Sequence, residues 1–254
     1  MKKIILSIIA LVAITMSVSA QKFVVVYDKS GNVLGRYSSS VVSKVDFITD
    51  PYTGHDYVDL GLSVKWATCN VGATSPEKYG DYFAWGETET KSSYYWTTYT
   101  LCNGSSETMT KYCTESKFGK DSFTDSKTTL EPEDDAAHVN WGGKWRMPTH
   151  EEQNELYTDC TWTWTDNYNK TSVKGYIVTS KKEGYTDKSI FLPAAGMYGD
   201  TKIYNASTYG YYWSSSLNEE YPYNAWDVYF TSSTIYVSDL GNRYLGYSIR
   251  AVAE

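Results

Sequence analysis

Residues 210–252, GYYWSSSLNEEYPYNAWDVYFTSSTIYVSDLGNRYLGYSIRAV, constrain this chain more than any other stretch. Between Tyr211 and Arg250 stand eight Tyr, seven Ser and three Asn, with no Lys. Aromatic and β-branched residues suit the pleated surface of a strand. Segments 211–215, 225–230, 234–237 and 247–252 accordingly read as strands. The same mix of rigid aromatic area and small polar groups is that of a recognition surface. The tract has no His or Cys, and its adjacent acids Glu219-Glu220 are not a pair opposed as hydrolytic chemistry usually needs.

The other end of the chain reads as a secretory signal over residues 1–20. Lys2 and Lys3 precede an apolar stretch at 4–18, and SVSA ends at Ala20, so cleavage is expected before Gln21. The apolar stretch is short for a membrane-spanning helix and is broken by Ser7, Thr15 and Ser17; an uncleaved anchor is the alternative. No Cys lies near the cleavage point, so no lipid anchor is expected. The expected location is the periplasm, the outer cell surface or the medium, with no stable membrane insertion after cleavage. A net charge of −7 offers no basic surface for nucleic acid or anionic lipid. With 25 Tyr and 9 Trp, the composition suggests a β-rich exported protein with aromatic display surfaces.

Four Cys stand at 69, 102, 113 and 160. An even number in an exported chain points to two disulfides, among three connectivities. The expected pairs are Cys102–Cys113 and Cys69–Cys160, with free buried thiols as the alternative. No CxxC pair or His partner suggests zinc.

Residues 21–50 look like a small β unit: FVVVY, a turn at DKSGN, a return strand at 33–37, and a third strand at 41–48. Such a ribbon has little core of its own. The main domain then shows short strands at 57–62, 64–69 and 81–85. Residues 87–130 lack periodicity and read as a long surface insertion, held by the Cys102–Cys113 bridge. Two helices follow. One lies within 132–141, started by Pro132 and three acids and stopped by Gly142-Gly143. The second begins at Thr149, whose capping box is completed by Glu152. Its spacing puts Leu156, Tyr157 and Cys160 on one buried stripe. Strands at 175–180 and 189–192 lead into the tyrosine-rich tract. The class is α+β with a loop-rich antiparallel sheet.

Several segments together resemble the Fibrobacter succinogenes major paralogous domain family: YVDLGLSVKWATCNVGA (57–73), GDYFAWGET (80–88), DDAAHVNWGGKWRMPTHEEQNEL (134–156), CTWTW (160–164), IFLPAAG (190–196), GYYWSSS (210–216) and GYSIRAV (246–252). The resemblance covers about residues 56–253 and implies a source of the Bacteroidetes type. It implies a C-type-lectin-like fold of two helices, small antiparallel sheets and long loops, preceded here by the short β-ribbon. That fold is shared with formylglycine-generating enzymes and the variable proteins of diversity-generating retroelements. In the variable proteins the ligand surface lies between a WSSS-like motif and the last Arg-containing strand, here about 217–247.

No catalytic set carries over. The formylglycine-generating reaction needs a Cys near the C-terminal end, and none follows Cys160. His55, His138 and His150 lack paired spacing, which favours surface or helix-cap places over metal binding. The run Glu131, Glu133, Asp134 and Asp135 could serve calcium, but a helix start explains it more simply. Glu151-Glu152 and Glu219-Glu220 are sequence neighbours, not carboxylates opposed across a sugar bond. Trp141, Trp145, Trp162, Trp164 and Trp213 are expected mostly in the core, and Arg146 and Arg250 in structural hydrogen bonds. No metal or cofactor is expected. The candidate ligand residues are Tyr221, Tyr223, Asn224, Tyr236, Asp239, Asn242, Arg243 and Tyr244, polar or aromatic groups between the motifs. The reading is an exported, non-catalytic module for an extracellular protein or glycan. The alternatives are a structural part of a surface assembly and, less favoured, a carbohydrate-active enzyme.

Overall fold

The computed structural model describes residues 23–27, 30, 32–38, 40 and 50–254. The expected signal at 1–20 and third strand at 41–48 lie outside them. The chain divides into two units, Met1–Thr49 and Asp50–Glu254. In the first, β1 (Phe23–Tyr27) pairs antiparallel with β2 (Val33–Ser38), from Phe23 opposite Ser38 to Tyr27 opposite Val33.

The second unit is α+β, built from small antiparallel sheets and few helices. Short strands β3 (Tyr57–Val58) and β4 (Lys65–Ala67) come first. Helices α1 (Ala136–Trp141) and α2 (His150–Asp159) lie mid-chain. Next come β5 (Cys160–Thr165), β6 (Gly175–Ser180) and β7 (Ser189–Pro193), joined in that order as one sheet. A ribbon of β8 (Met197–Gly199) and β9 (Lys202–Tyr204) leads to the sheet of β10 (Gly210–Leu217), β11 (Asn224–Phe230) and β12 (Ile235–Asn242). The last strand, β13 (Val252–Ala253), returns to β4, so the end of the unit closes on its beginning.

Local signals set both helices. Asp135 caps α1, one carboxyl oxygen taking the His138 N–H at 3.0 Å and the other the Met147 N–H at 2.7 Å. Gly142 ends α1 at φ 69°, a left-handed value that favours glycine. The Thr149–Glu152 capping box is formed in full, and Arg146 grips Glu152 through two bonds of 2.8 and 2.6 Å. The stripe expected on α2 needs one correction. Gln153 and Leu156 are buried, but Tyr157 is 41 % exposed. The helix ends at Asp159, and Cys160 already pairs with Ser180 as the first residue of β5. The i+4 position therefore turns to solvent. CTWTW is a strand the sequence reading did not assign.

The small residues of WSSS let other chain segments approach β10. Ser214 donates to the Trp226 carbonyl at 2.9 Å and Ser215 to the Pro148 carbonyl at 3.2 Å. Ser216 accepts the first N–H of α2, from His150, at 3.1 Å. Trp85, Trp145 and Trp213 are fully buried, and each indole N–H meets a backbone carbonyl.

The four cysteines are free thiols, which corrects the expected bridges Cys69–Cys160 and Cys102–Cys113. Cys160 belongs to the core around Trp66 and Leu156, whereas Cys69 packs against the core around Trp85 and Trp213. Cys102 and Cys113 share one cluster, yet Cys102 donates to the Trp96 carbonyl at 3.3 Å and Cys113 to the Glu115 carbonyl at 3.3 Å. Burial raises the pKa of all four and holds them as thiols.

Nor is segment 87–130 a surface insertion. It buries Tyr94, Tyr99, Met109, Tyr112 and Cys113. What holds it is Arg243, which is fully buried. Its Nε donates to the Tyr99 hydroxyl at 2.8 Å, Nη1 to the carbonyls of Tyr112 (2.9 Å) and Pro222 (2.6 Å), and Nη2 to that of Lys111 (3.0 Å). The guanidinium also lies 4.8 Å from the Trp85 ring centroid. Arg243→Ala would strand three carbonyls and open a cavity. The expected loss is about 3 kcal/mol or more of unfolding free energy, read by urea titration.

Candidate functional site

Pairing within the β10–β12 sheet places Tyr211 opposite Tyr229 and Tyr229 opposite Tyr236. Tyr209 extends the line. Successive ring centroids are 5.9, 6.0 and 5.0 Å apart, with interplanar angles of 7°, 19° and 17°. Four nearly parallel rings thus cross the sheet. Tyr236 is 49 % exposed, and the other three are half-buried. Such cross-strand aromatic pairs stabilise the sheet as well as presenting contact area. Tyr247 supports the row from beneath, 5.0 Å from Tyr211 and stacked at 4.1 Å on Trp213.

Asp227 sits on the same strand, two residues from Tyr229, and is 3 % exposed. Gly241 makes its place possible. A Cβ there would come within 2.4 Å of the Trp213 ring and 3.0 Å of the Asp227 carboxyl. Burial raises the Asp227 pKa well above the ordinary value, and the nearby Asp239 carboxylate adds to the shift.

The loop between β10 and β11 is shaped by buried Asn218. Its Oδ1 accepts the N–H groups of Glu220 (3.0 Å) and Tyr221 (2.9 Å). Its Nδ2 donates to the Asp239 carbonyl (3.0 Å) and carboxylate (3.1 Å). Beside this loop, where α2 begins, lies a cleft of about 250 Å³. His150, Glu151, Glu219, Trp226 and Asp239 line it, as do Thr128 and Thr129. The His150 ring lies flat on Trp226, 4.4 Å between centroids and 17° between planes. His150 Nδ1 is 3.3 Å from a Glu151 oxygen, but the alignment makes no hydrogen bond and the nitrogen is otherwise buried.

The eight expected ligand residues fall into three groups. Tyr221 and Tyr236 are exposed. Tyr223, Asp239, Asn242 and Tyr244 are half-buried, Tyr223 edge-on to Phe118 at 5.0 Å and Tyr244 against Trp96 at 4.8 Å. Asn224 and Arg243 are buried and leave the set. Asn224 is the first residue of β11, opposite Asn242, and Arg243 is consumed by the core. Tyr221 and Tyr223 meet edge-on at 6.0 Å, and Asn218 ties their loop to Asp239. Tyr209, Tyr211, Tyr229, His150 and Trp226 were missed. For Tyr229 a signal existed: it stands between the apolar residues Val228 and Phe230, both core. For His150 and Trp226 none did, because they are 76 positions apart.

The other candidates are committed elsewhere. His55 stacks on Trp141 at 3.9 Å, and His138 Nδ1 lies 3.1 Å from the Trp145 carbonyl. Glu131, Glu133 and Asp134 come close enough to share an ion, yet the Lys111 ammonium pairs with all three. Hydrogen bonds from Lys111 and Lys127 hold the Glu131 pKa down at about 2.

Residues 161–252 match the family model of a domain of unknown function, DUF8237. No curated protein and no solved structure matches the chain.

Asp227 gives a pH prediction. Its carboxyl holds its proton more tightly folded than unfolded. Between 3.8, an aspartate's ordinary value, and its raised folded value, stability falls as pH rises. Asp227→Asn should therefore raise the melting temperature at pH 7, with the gain shrinking towards pH 3.8. A gain that grew on acidification would contradict this assignment.

Proposed function

We propose that this chain is an exported, non-catalytic binding module of the Fibrobacter succinogenes major paralogous family, with a C-type-lectin-like fold. It would recognise an extracellular protein or glycan through its C-terminal face. The observation that carries this reading is the row Tyr209–Tyr211–Tyr229–Tyr236, with Tyr221 exposed on the adjoining loop. Tyr supplies large amphipathic area at little entropic cost and is enriched at interfaces. Here three of the rings, Tyr211, Tyr229 and Tyr236, stand on paired strands, so little order remains to be lost on contact. Two α-helices, three three-stranded sheets with a two-stranded ribbon, and the long irregular segment at 87–130 suit the lectin-like fold. Residues 1–20 carry the expectation of export. Among the described residues no helix is long and apolar enough to cross a membrane.

Screening the purified chain on surface-protein and glycan arrays, with and without calcium, tests the reading. Tyr229→Ala with Tyr236→Ala is expected to weaken a hit at least about tenfold. Tyr57→Ala, an exposed ring on the β3–β4 sheet, should leave it unchanged. An unaltered hit in the double variant, folded by its melting curve, would move the site elsewhere.

A further inference from the structure

We propose that the foot of the tyrosine row, at Asp227 and Tyr247, takes a hydroxyl group of a neutral glycan. This rests on the binding reading above and narrows its ligand to a carbohydrate.

The strand register sets the site. Next to the set Tyr211–Tyr229–Tyr236 stands the set Trp213–Asp227–Ser238, paired across the same three strands. The two sets are two residues apart on each strand, so both project from one face of the sheet. Two members of the second set are committed. Trp213 Nε1 donates to the Phe83 carbonyl at 2.9 Å, and Ser238 Oγ accepts the Leu240 N–H at 3.3 Å. Asp227 is not. Among the described residues nothing donates to its carboxyl, and no Lys, Arg or His pairs with it.

A buried polar group without a partner is rare in a folded protein. Here two stand together. Asp227 is 3 % exposed and Tyr247 is 4 % exposed, and the Tyr247 hydroxyl makes no hydrogen bond either. Burial raises the pKa of Tyr211, Tyr229 and Tyr247, and the Asp227 charge adds to each shift, so the carboxyl lies within electrostatic reach of all three hydroxyls. The unpartnered oxygens of Gln153 and Asn224 are closed off from solvent, but the Asp227 carboxyl and the Tyr247 hydroxyl keep contact with it. For Asp227 the register puts that contact on the face that carries the row.

The chemistry of the pair selects the ligand. Burial favours the protonated Asp227 carboxyl, and the Asp239 carboxylate adds to the effect, so the pair offers an acid and a phenol. Each both donates and accepts a hydrogen bond. A sugar hydroxyl does the same and can complete both at once. An ammonium or guanidinium only donates, and would have to give up its water beside a carboxyl that is almost closed off. A sugar also carries its hydroxyls on a ring that can rest against neighbouring tyrosines while one hydroxyl reaches down. The row supplies contact area, and the polar pair at its foot supplies direction.

The test uses the full chain with isotope-labelled tyrosine, and neutral hexasaccharides of glucose, mannose, galactose or xylose. Ring signals are followed by NMR and affinity by calorimetry, at low and high salt. At least one hexasaccharide should bind saturably, shift Tyr229 and Tyr247, and be indifferent to salt. Asp227→Leu and Tyr247→Phe stay near the original shapes and remove the polar atoms, and each should weaken binding about tenfold or more. Asp227→Asn, which keeps a donor and an acceptor, should recover most of that loss. Tyr57→Ala, on another sheet, should act within about twofold. The absence of saturable binding by any of these sugars would overturn the proposal. So would affinity unchanged in Asp227→Leu or in Tyr247→Phe, each folded by its melting curve. A loss in Asp227→Asn as large as in Asp227→Leu, with weakening by salt, would point to a cationic ligand and overturn it too. A protein hit sensitive to Tyr229 and Tyr236 but indifferent to Asp227→Leu would leave the binding reading standing without this inference. Sugar binding lost in Asp227→Leu but unchanged by Tyr229→Ala with Tyr236→Ala would leave the foot standing without the row.

Discussion

Arg243 joins parts of the chain that share no sheet. Its guanidinium reaches Tyr99, Lys111, Tyr112 and Pro222 from the residue after β12. Burying a charge is costly unless its donors are met. Here they are met by carbonyls and a hydroxyl, with no carboxylate, so the charge is spread over four acceptors and three aromatic rings. The acceptors are themselves in segments with no regular ladder. Each side therefore satisfies the other: the irregular backbone needs a donor, and the arginine needs acceptors.

Arg250 repeats the arrangement between β12 and β13. It donates to Asn70 Oδ1 through Nε and Nη2 and to the carbonyls of Ala67, Thr68 and Phe191. That ties the β4 region to β7 and to the C-terminal stretch. Two buried guanidinium groups thus tie distant segments of this unit together, while the four thiols stay free. They also fix the base on which the tyrosine row stands, since Tyr247, which supports Tyr211, lies between them in the chain. The same framework leaves tyrosine rings on the sheet, Tyr236 most of all, open to solvent.

What the sequence showed, it showed through short-range physics. The Thr149–Glu152 box and Gly142 placed helix ends because their partners lie within a few residues. The strand at 175–180 emerged with the bounds its composition suggested. Within 210–252, Tyr212, Trp213, Tyr247 and Arg250 are core, whereas Tyr211 is half-buried in the tyrosine row. Polarity misled at Arg243 and Asn224. Both look like surface groups in a linear reading, and both are buried.

The sequence by itself determined the α+β class, the start of α2 and the richness in Tyr of the last strands, all governed by contacts a few residues long; the start expected at Pro132 is a separate 3-10 turn, and α1 begins at Ala136. The tertiary structure alone decided which tyrosines align and that Arg243 belongs to the core. Those outcomes depend on pairs such as Arg243 with Lys111 and His150 with Trp226. The residues of such pairs meet only after the sheets have closed, and no local pattern records the meeting.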